Sequence, residues 1–335
     1  MRLALSALDL VPLVEGGTSI ESMRGVVELA RALDGLGFTR LWYAEHHNMP
    51  GIATTTPEIL IAHVGSATTR IRLGAGGVML PNHSALKVAE AYKLLEALHP
   101  GRIDLGIGRA PGTDQLTALA LRRSRQAMGA TDFLEQLGEL LAWGGAEFPA
   151  DHPFRGVRAM PDDRGLPPVY LLGSSDYSAK VAADLGLGFA FAGHFSQDPP
   201  ELALRDYRAR FSPAATLERP HAILGLSVFC ADTEAAARRL ASSMMVSFVQ
   251  LRTGRPGRMP NPDEAMAHVF TAEEQAILAF YEKLVIVGTP AQVRARIEAI
   301  VGRTGADEVM MVTHAHDVSA RVRSYELVAR AFGVS

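Results

Sequence analysis

Residues 71–108 read IRLGAGGVMLPNHSALKVAEAYKLLEALHPGRIDLGIG, a short aliphatic run, a longer amphipathic segment and a second aliphatic run. That alternation is the mark of a parallel sheet built from βα units, and it continues in both directions along the chain. Strands are expected near 2–8, 40–45, 71–79, 103–108, 168–173, 188–193, 222–230 and 307–313. Eight such units in 335 residues fit an α/β fold of the (β/α)8 TIM-barrel type better than a doubly wound sheet. Because such a barrel carries its active site where the strands end, the strand C-termini are where chemistry is to be sought.

Helix starts are written locally. Thr18 with Glu21 and Thr271 with Glu274 have capping-box spacing, and Thr289-Pro290 places an N-cap before a first-turn proline. Near 20–36, Met23, Val26, Val27, Ala30, Leu33 and Leu36 recur at three- and four-residue steps, so one face docks on the sheet before Gly35 and Gly37 end the helix. No repeat or linker divides the chain, and 1–335 is read as one domain. Two segments exceed a minimal barrel: 110–128, and the Pro-, Gly- and Arg-rich 252–270, a candidate mobile, lid-like loop before the last βα unit.

Composition narrows the class. With 48% hydrophobic residues and 33 Lys+Arg against 36 Asp+Glu, the chain can bury a core, and its charge of −3 gives no electrostatic reason to expect nucleic acid or an anionic membrane. A lone cysteine, Cys230, closes no intramolecular disulfide, which suits a reducing cytoplasm. No secretory signal and no membrane span is expected. Small molecules and other protein chains remain as partners.

The strand ends hold the candidate chemistry. After the second strand come Glu45, His46 and His47; side chains alternate, so only one of the two histidines can face the barrel interior while the strand lasts. A barrel-mouth histidine suits proton transfer, or simply bonds a backbone carbonyl. Gly74, Gly76 and Gly77 weaken the third strand, which fits either a flat ligand against the backbone or a bulge without one. The run Gly106-Ile107-Gly108-Arg109-Ala110-Pro111-Gly112 departs from the dinucleotide fingerprint, because its third glycine is one residue late and Pro111 disfavours a helix at Ala110. What remains is Arg109, fit for a phosphate or for a surface ion pair in a chain with 29 Arg and 4 Lys.

Ser174, Ser175 and Ser178 follow the fifth strand and open a helix, an arrangement that either binds an anion or caps the helix. Arg109 and this turn lie in adjacent βα loops and could meet on one phosphate. His314 and His316 end the eighth strand and resemble a metal pair, although metal-dependent barrel hydrolases carry theirs on the first strand; no metal is expected.

The stretches AEHHNMPG, GAGGVMLPNHS, HPGRIDLGIGRAPGTD and LLGSS, with VGTPAQV and GADEVMMV, together resemble the bacterial-luciferase-like flavin-dependent monooxygenases nearly end to end. The resemblance implies a barrel that binds reduced FMN from a separate flavin reductase and reacts with O2 through a C4a-hydroperoxyflavin to oxygenate a small organic substrate, often as a homodimer packed through helices beside the second and third strands. It implies His46, with Glu45 beside it, near the flavin reacting centre. It also implies a Gly76-Gly77 bulge, often with a cis peptide, under the ring, Arg109 and the Ser174, Ser175, Ser178 turn on the phosphate, and a mobile active-site loop at 252–270. Ser174 stands where a luciferase carries an acidic residue. A deazaflavin (F420)-dependent oxidoreductase, a non-catalytic flavin-binding protein and a metal hydrolase using His46, His314 and His316 are the competing readings.

Overall fold

The computed structural model describes residues 3–123, 132–214 and 216–334; the last residues of the 110–128 segment lie outside them. Its strands are β1 (Ala4–Asp9), β2 (Arg40–Tyr43), β3 (Arg72–Met79), β4 (Ile103–Gly108), β5 (Val169–Gly173), β6 (Gly188–Phe191), β7 (Ala222–Cys230), β8 (Val285–Gly288) and β9 (Glu308–Val312). All pairings are parallel. β1 to β6 run in sequence, β6 pairs β7, β7 pairs β9 and β9 returns to β1, which closes a barrel of eight strands. The eight expected strands are these eight. The unexpected one is β8, whose VIVG pairs with the far end of β7, Ser227–Cys230, outside the closed ring. Four residues after a long helix carry too little periodicity to be read as a strand.

The capping signals form as written: Thr18 and Glu21 bond reciprocally, as do Thr271 and Glu274, and the Thr289 N–H donates to Gln292 Oε1 at 2.9 Å. The helix Ser19–Leu36 buries Val26, Leu29, Ala30 and Leu33 against the barrel, and truncating Leu33 to alanine there would cost about 2–5 kcal/mol. Gly35 lies within this helix rather than ending it. Gly37 is the terminator, because only it takes the left-handed φ of 77° that lets its N–H reach back to the Leu33 and Asp34 carbonyls.

Apolar residues form two layers. One fills the space between strands and helices. The other lies inside the barrel and gathers Leu8, Trp42, Ala44, Tyr170, Ala190, Ile223, Met310 and Val312. Beneath the inner layer Arg40 forks onto Glu308, with Nε to Oε1 at 2.8 Å and Nη2 to Oε2 at 3.1 Å, and also donates to Asp104 at 2.8 Å and Tyr170 at 3.1 Å. Arg72 and the Trp42 indole donate to Asp104, while Ser6 and His221 bond Glu308.

The 252–270 segment, expected as a mobile lid-like loop, follows the helix Glu234–Arg252 and contains a short helix, Pro262–Ala267. Met259 exchanges backbone bonds of 2.9 Å with Leu13 and Glu15, and Arg258 donates to the Gly17 carbonyl. The segment thus rests on the β1 loop, near Gly51 of the β2 loop, where an added Cβ would stand 2.6 Å from the Gly257 oxygen. Among the described residues no helix is long and apolar enough to cross a membrane.

Candidate functional site

β2 ends at Tyr43, yet its alternation persists: Trp42 and Ala44 lie in the inner layer and His46 continues that face, while Glu45 and His47 take the other. The His46 N–H is fixed by the Thr54 carbonyl at 2.8 Å, and its Nδ1 is buried without a partner among the described residues. Burial, helped by His47 and opposed by Glu45, lowers the His46 pKa to about 4, so the ring is uncharged near neutrality.

Glu45 was expected beside the reacting centre. Its carboxylate is bonded on both oxygens: Oε1 lies 2.9 Å from His47 Nε2 and 2.9 Å from His83 Nε2, and Oε2 accepts the Met79 N–H at 2.9 Å. Burial opposes its ionisation, but these bonds, His83 foremost, outweigh that and hold its pKa below the usual carboxylate range. Glu45 therefore ties the end of β2 to the end of β3, and the geometry gives it a positioning role. His83 went unnoticed in the sequence because its partner is distant along the chain.

The third strand breaks register with β4 between Ala75 and Val78, and the Gly76-Gly77 peptide within that bulge is cis. A Cβ on Gly76 would stand 2.8 Å from Leu8 Cδ1, one on Gly77 2.7 Å from the Gly106 oxygen, and one on Gly106 2.1 Å from the Ala75 oxygen. Backbone closes Gly77 and Gly106 to any side chain, whereas at Gly76 the Leu8 side chain would have to shift, and the rim between β3 and β4 is bare backbone.

Next to it, Arg109 leaves β4 and lays its guanidinium 4.2 Å from the centre of the Tyr177 ring, in the first turn of the helix Asp176–Asp184. Ser175 is the N-cap of that helix but makes no side-chain capping bond. Capping by Ser175 therefore does not account for it; the Asp176 carboxylate engages the first backbone N–H groups of the helix instead, and the positive dipole end lies beside the Arg109 guanidinium. Ser178 is mostly buried and packs under Gly173, where a Cβ would come within 2.6 Å of Ser178 Cβ. Ser174 is held through its carbonyl, which accepts from Ser196 Oγ at 2.8 Å. Asp176 brings a negative charge to this turn and is paired with Lys180.

The structure thus brings together Arg109 and the serine turn, and puts the diglycine bulge on the neighbouring strand. His314 extends the inward face of β9 (Met310, Val312) as His46 extends that of β2. His194 follows β6 in a turn at 193–195 that sets its ring over Gly225 of β7, a placement that the spacing in GFAFAGH does not reveal. Among the described residues no three His, Cys, Asp or Glu side chains are gathered in a way that could hold a metal ion, so the metal-hydrolase alternative has no such group behind it.

Residues 4–308 match the family model of luciferase-like monooxygenases. The chain belongs to the luciferase-like monooxygenase family. It is 43% identical over 325 residues to a luciferase-like monooxygenase of Escherichia coli, covering 97% of this chain and 96% of that one. It is 33% identical to the N-acetyl-S-alkylcysteine monooxygenase of Bacillus subtilis, over 98% of this chain and 97% of that protein. The crystal structure of apo-MsnO8 superposes with a TM-score of 0.87 at 35% identity, covering 100% of this chain and 98% of that chain. Two more distant structures share the fold alone. One is the oxygenating constituent of 3,6-diketocamphane monooxygenase from Pseudomonas putida in complex with FMN, at 18% identity and TM-score 0.73 over 98% of this chain and 97% of that one. The other is an F420-dependent secondary alcohol dehydrogenase, at 12% identity and TM-score 0.65 over 99% of both chains.

Proposed function

We propose that this protein is a two-component monooxygenase that takes reduced FMN from a separate reductase and uses O2 to oxygenate a small organic substrate in the barrel mouth. The observation that carries the reading is the convergence of Arg109 with the N-terminus of the helix Asp176–Asp184, one strand away from a rim where Gly77 and Gly106 lie too close to neighbouring backbone for a side chain.

Arg109, the N–H groups at the start of the helix Asp176–Asp184 and the hydroxyls of Ser174 and Ser175 would hold the phosphate. Ser178 supports that turn from below. Gly76 and Gly77 would leave room for the flat ring system. When bound, reduced FMN supplies the electrons that activate molecular oxygen. His46, uncharged and with a free Nδ1, can accept or donate a proton there. Glu45 keeps the two strand ends in register. The 252–270 segment, read as a mobile lid, would exclude water from the mouth. Exposed Ile20, Ile59, Leu94 and Leu98 on the first three helices support a homodimer, in a single-domain protein of the cytoplasm.

The decisive experiment is an anaerobic titration with reduced FMN and, separately, with reduced F420, followed by oxygen and a screen of candidate substrates. Tight FMN binding with substrate-dependent oxygen uptake is expected. Preference for F420 with hydride transfer would replace the reading by the deazaflavin alternative, and FMN binding without turnover of any substrate by that of a flavin carrier.

A further inference from the structure

Three strands of the barrel, β2, β6 and β9, are each followed within three residues by a histidine. Trp42, Ala44 and His46 follow one another from β2 at two-residue steps, as do Met310, Val312 and His314 from β9, while beyond β6 the chain turns at 193–195 and sets the His194 ring over Gly225 of β7. Trp42, Ala44, Ala190, Met310 and Val312 pack together inside the barrel, and His46 lies close enough to act electrostatically on both His194 and His314. In the closed ring β2, β6 and β9 are the second, sixth and eighth strands, and side chains from alternate strands of such a barrel share a layer. The remaining alternate strand, β4, ends in Gly106 and Gly108, which carry no side chain into it.

All three Nδ1 atoms are buried and unpartnered among the described residues. That of His194 packs over Gly225, where a Cβ would stand 2.9 Å away. An unpaired buried polar atom costs stability, so three of them on rings that act on one another call for a ligand or water that completes them.

We propose that His46, His194 and His314 together bind an oxyanion of the substrate, a carboxylate or a phenolate. The inference rests on the reading of the barrel mouth as the place where substrate reacts. An oxyanion only accepts hydrogen bonds and offers up to about four acceptor sites on a carboxylate, so three imidazole N–H groups can converge on it. A neutral carbonyl has only two lone pairs.

An ammonium could use the rings as acceptors, but the helices Pro57–Gly65, Asp176–Asp184, Pro200–Arg210 and Val318–Phe332 all begin at this end of the barrel, and their dipoles favour negative charge. The charged groups acting on the layer are Glu45 and His47 on His46, His46 on both others, and Arg321 on His314, itself paired with Asp9. Burial and this mutual repulsion keep the rings uncharged without ligand. An arriving anion reverses the balance, so binding draws in a proton.

The test uses the full chain labelled with 15N-histidine, with and without oxidised FMN, and four probes: benzoate, 4-nitrophenolate, benzamide and benzylammonium. Benzoate or 4-nitrophenolate should move the ring signals of His46, His194 and His314 and bind at least tenfold more tightly than benzamide, with proton uptake seen by calorimetry in buffers of different ionisation enthalpy. Which of the two anions binds better identifies the substrate oxyanion. His194→Gln and His314→Gln should each weaken anion binding at least tenfold while FMN affinity stays as in the wild type. Equal binding of benzamide, preference for benzylammonium, or ring signals unmoved by either anion overturns the proposal. Should either variant fail to fold, the wild-type probe series still decides. FMN bound while both anions are ignored breaks this inference alone; anions bound by the three rings while FMN is refused breaks the flavin reading alone.

Discussion

The two ends of the barrel are built from opposite kinds of polar chemistry. At the floor, Arg40, Asp104 and Glu308 are fully buried and each meets several partners. Burial opposes ionisation of Glu308, but Arg40, His221 and Ser6 outweigh it and draw its pKa down to about 2. At the mouth, the Nδ1 atoms of His46, His194 and His314 have no partner among the described residues, and burial keeps the rings uncharged. A satisfied network contributes to a single packed arrangement, whereas unsatisfied groups cost stability and are useful only toward something that arrives. The floor is therefore structural and the mouth is functional.

That contrast is breakable. Arg40→Leu should cause the largest loss, about 3–5 kcal/mol in denaturant unfolding, because it strands two buried carboxylates. If it costs under about 1 kcal/mol, the floor is not the structural end. His46→Ala should do the reverse, with a melting temperature close to wild type and oxygenation slowed about 10²–10⁴-fold; a destabilised protein with normal turnover would exchange the roles of the two ends.

Arg109→Ala should weaken FMN binding about tenfold or more with little change in stability, since among the described residues its guanidinium lies over the Tyr177 ring and makes no ion pair. Fluorescence titration of the flavin reads this directly, and unchanged affinity would place the phosphate elsewhere.

The smallest effect sharpens the comparison by pH. Each mouth histidine has a folded pKa below the unfolded value near 6.5, so the unfolded chain binds more protons in that window. Stability should fall on acidification from about pH 6.5 toward 4, by about 1.4 kcal/mol per unit per histidine at most. Glu308, with its folded pKa depressed, contributes stability that is lost only as pH falls from about 4.5 toward 2. Melting temperatures across pH for the wild type and for His194→Gln should separate the two windows, and a slope above pH 5 that survives in the variant undiminished would count against His194 as a source of it.

The sequence by itself determined the barrel, its eight strands and the capped helix starts, because these depend on short-range periodicity and on residues three apart, such as Thr18 and Glu21. It also placed Gly76, Gly77, Arg109 and the serine turn at strand ends, since a βα unit fixes that order. Tertiary structure alone decided which of these meet. Arg109 finds Tyr177 only when β4 and β5 pair, and Glu45 meets His83, 38 residues away, only when the ends of β2 and β3 come together. His194 gains meaning only when closure of the ring brings β6 into one layer with β2 and β9. Alternation along a strand is local and can be read directly, but convergence across a closed sheet is a property of pairing register, which no single segment contains.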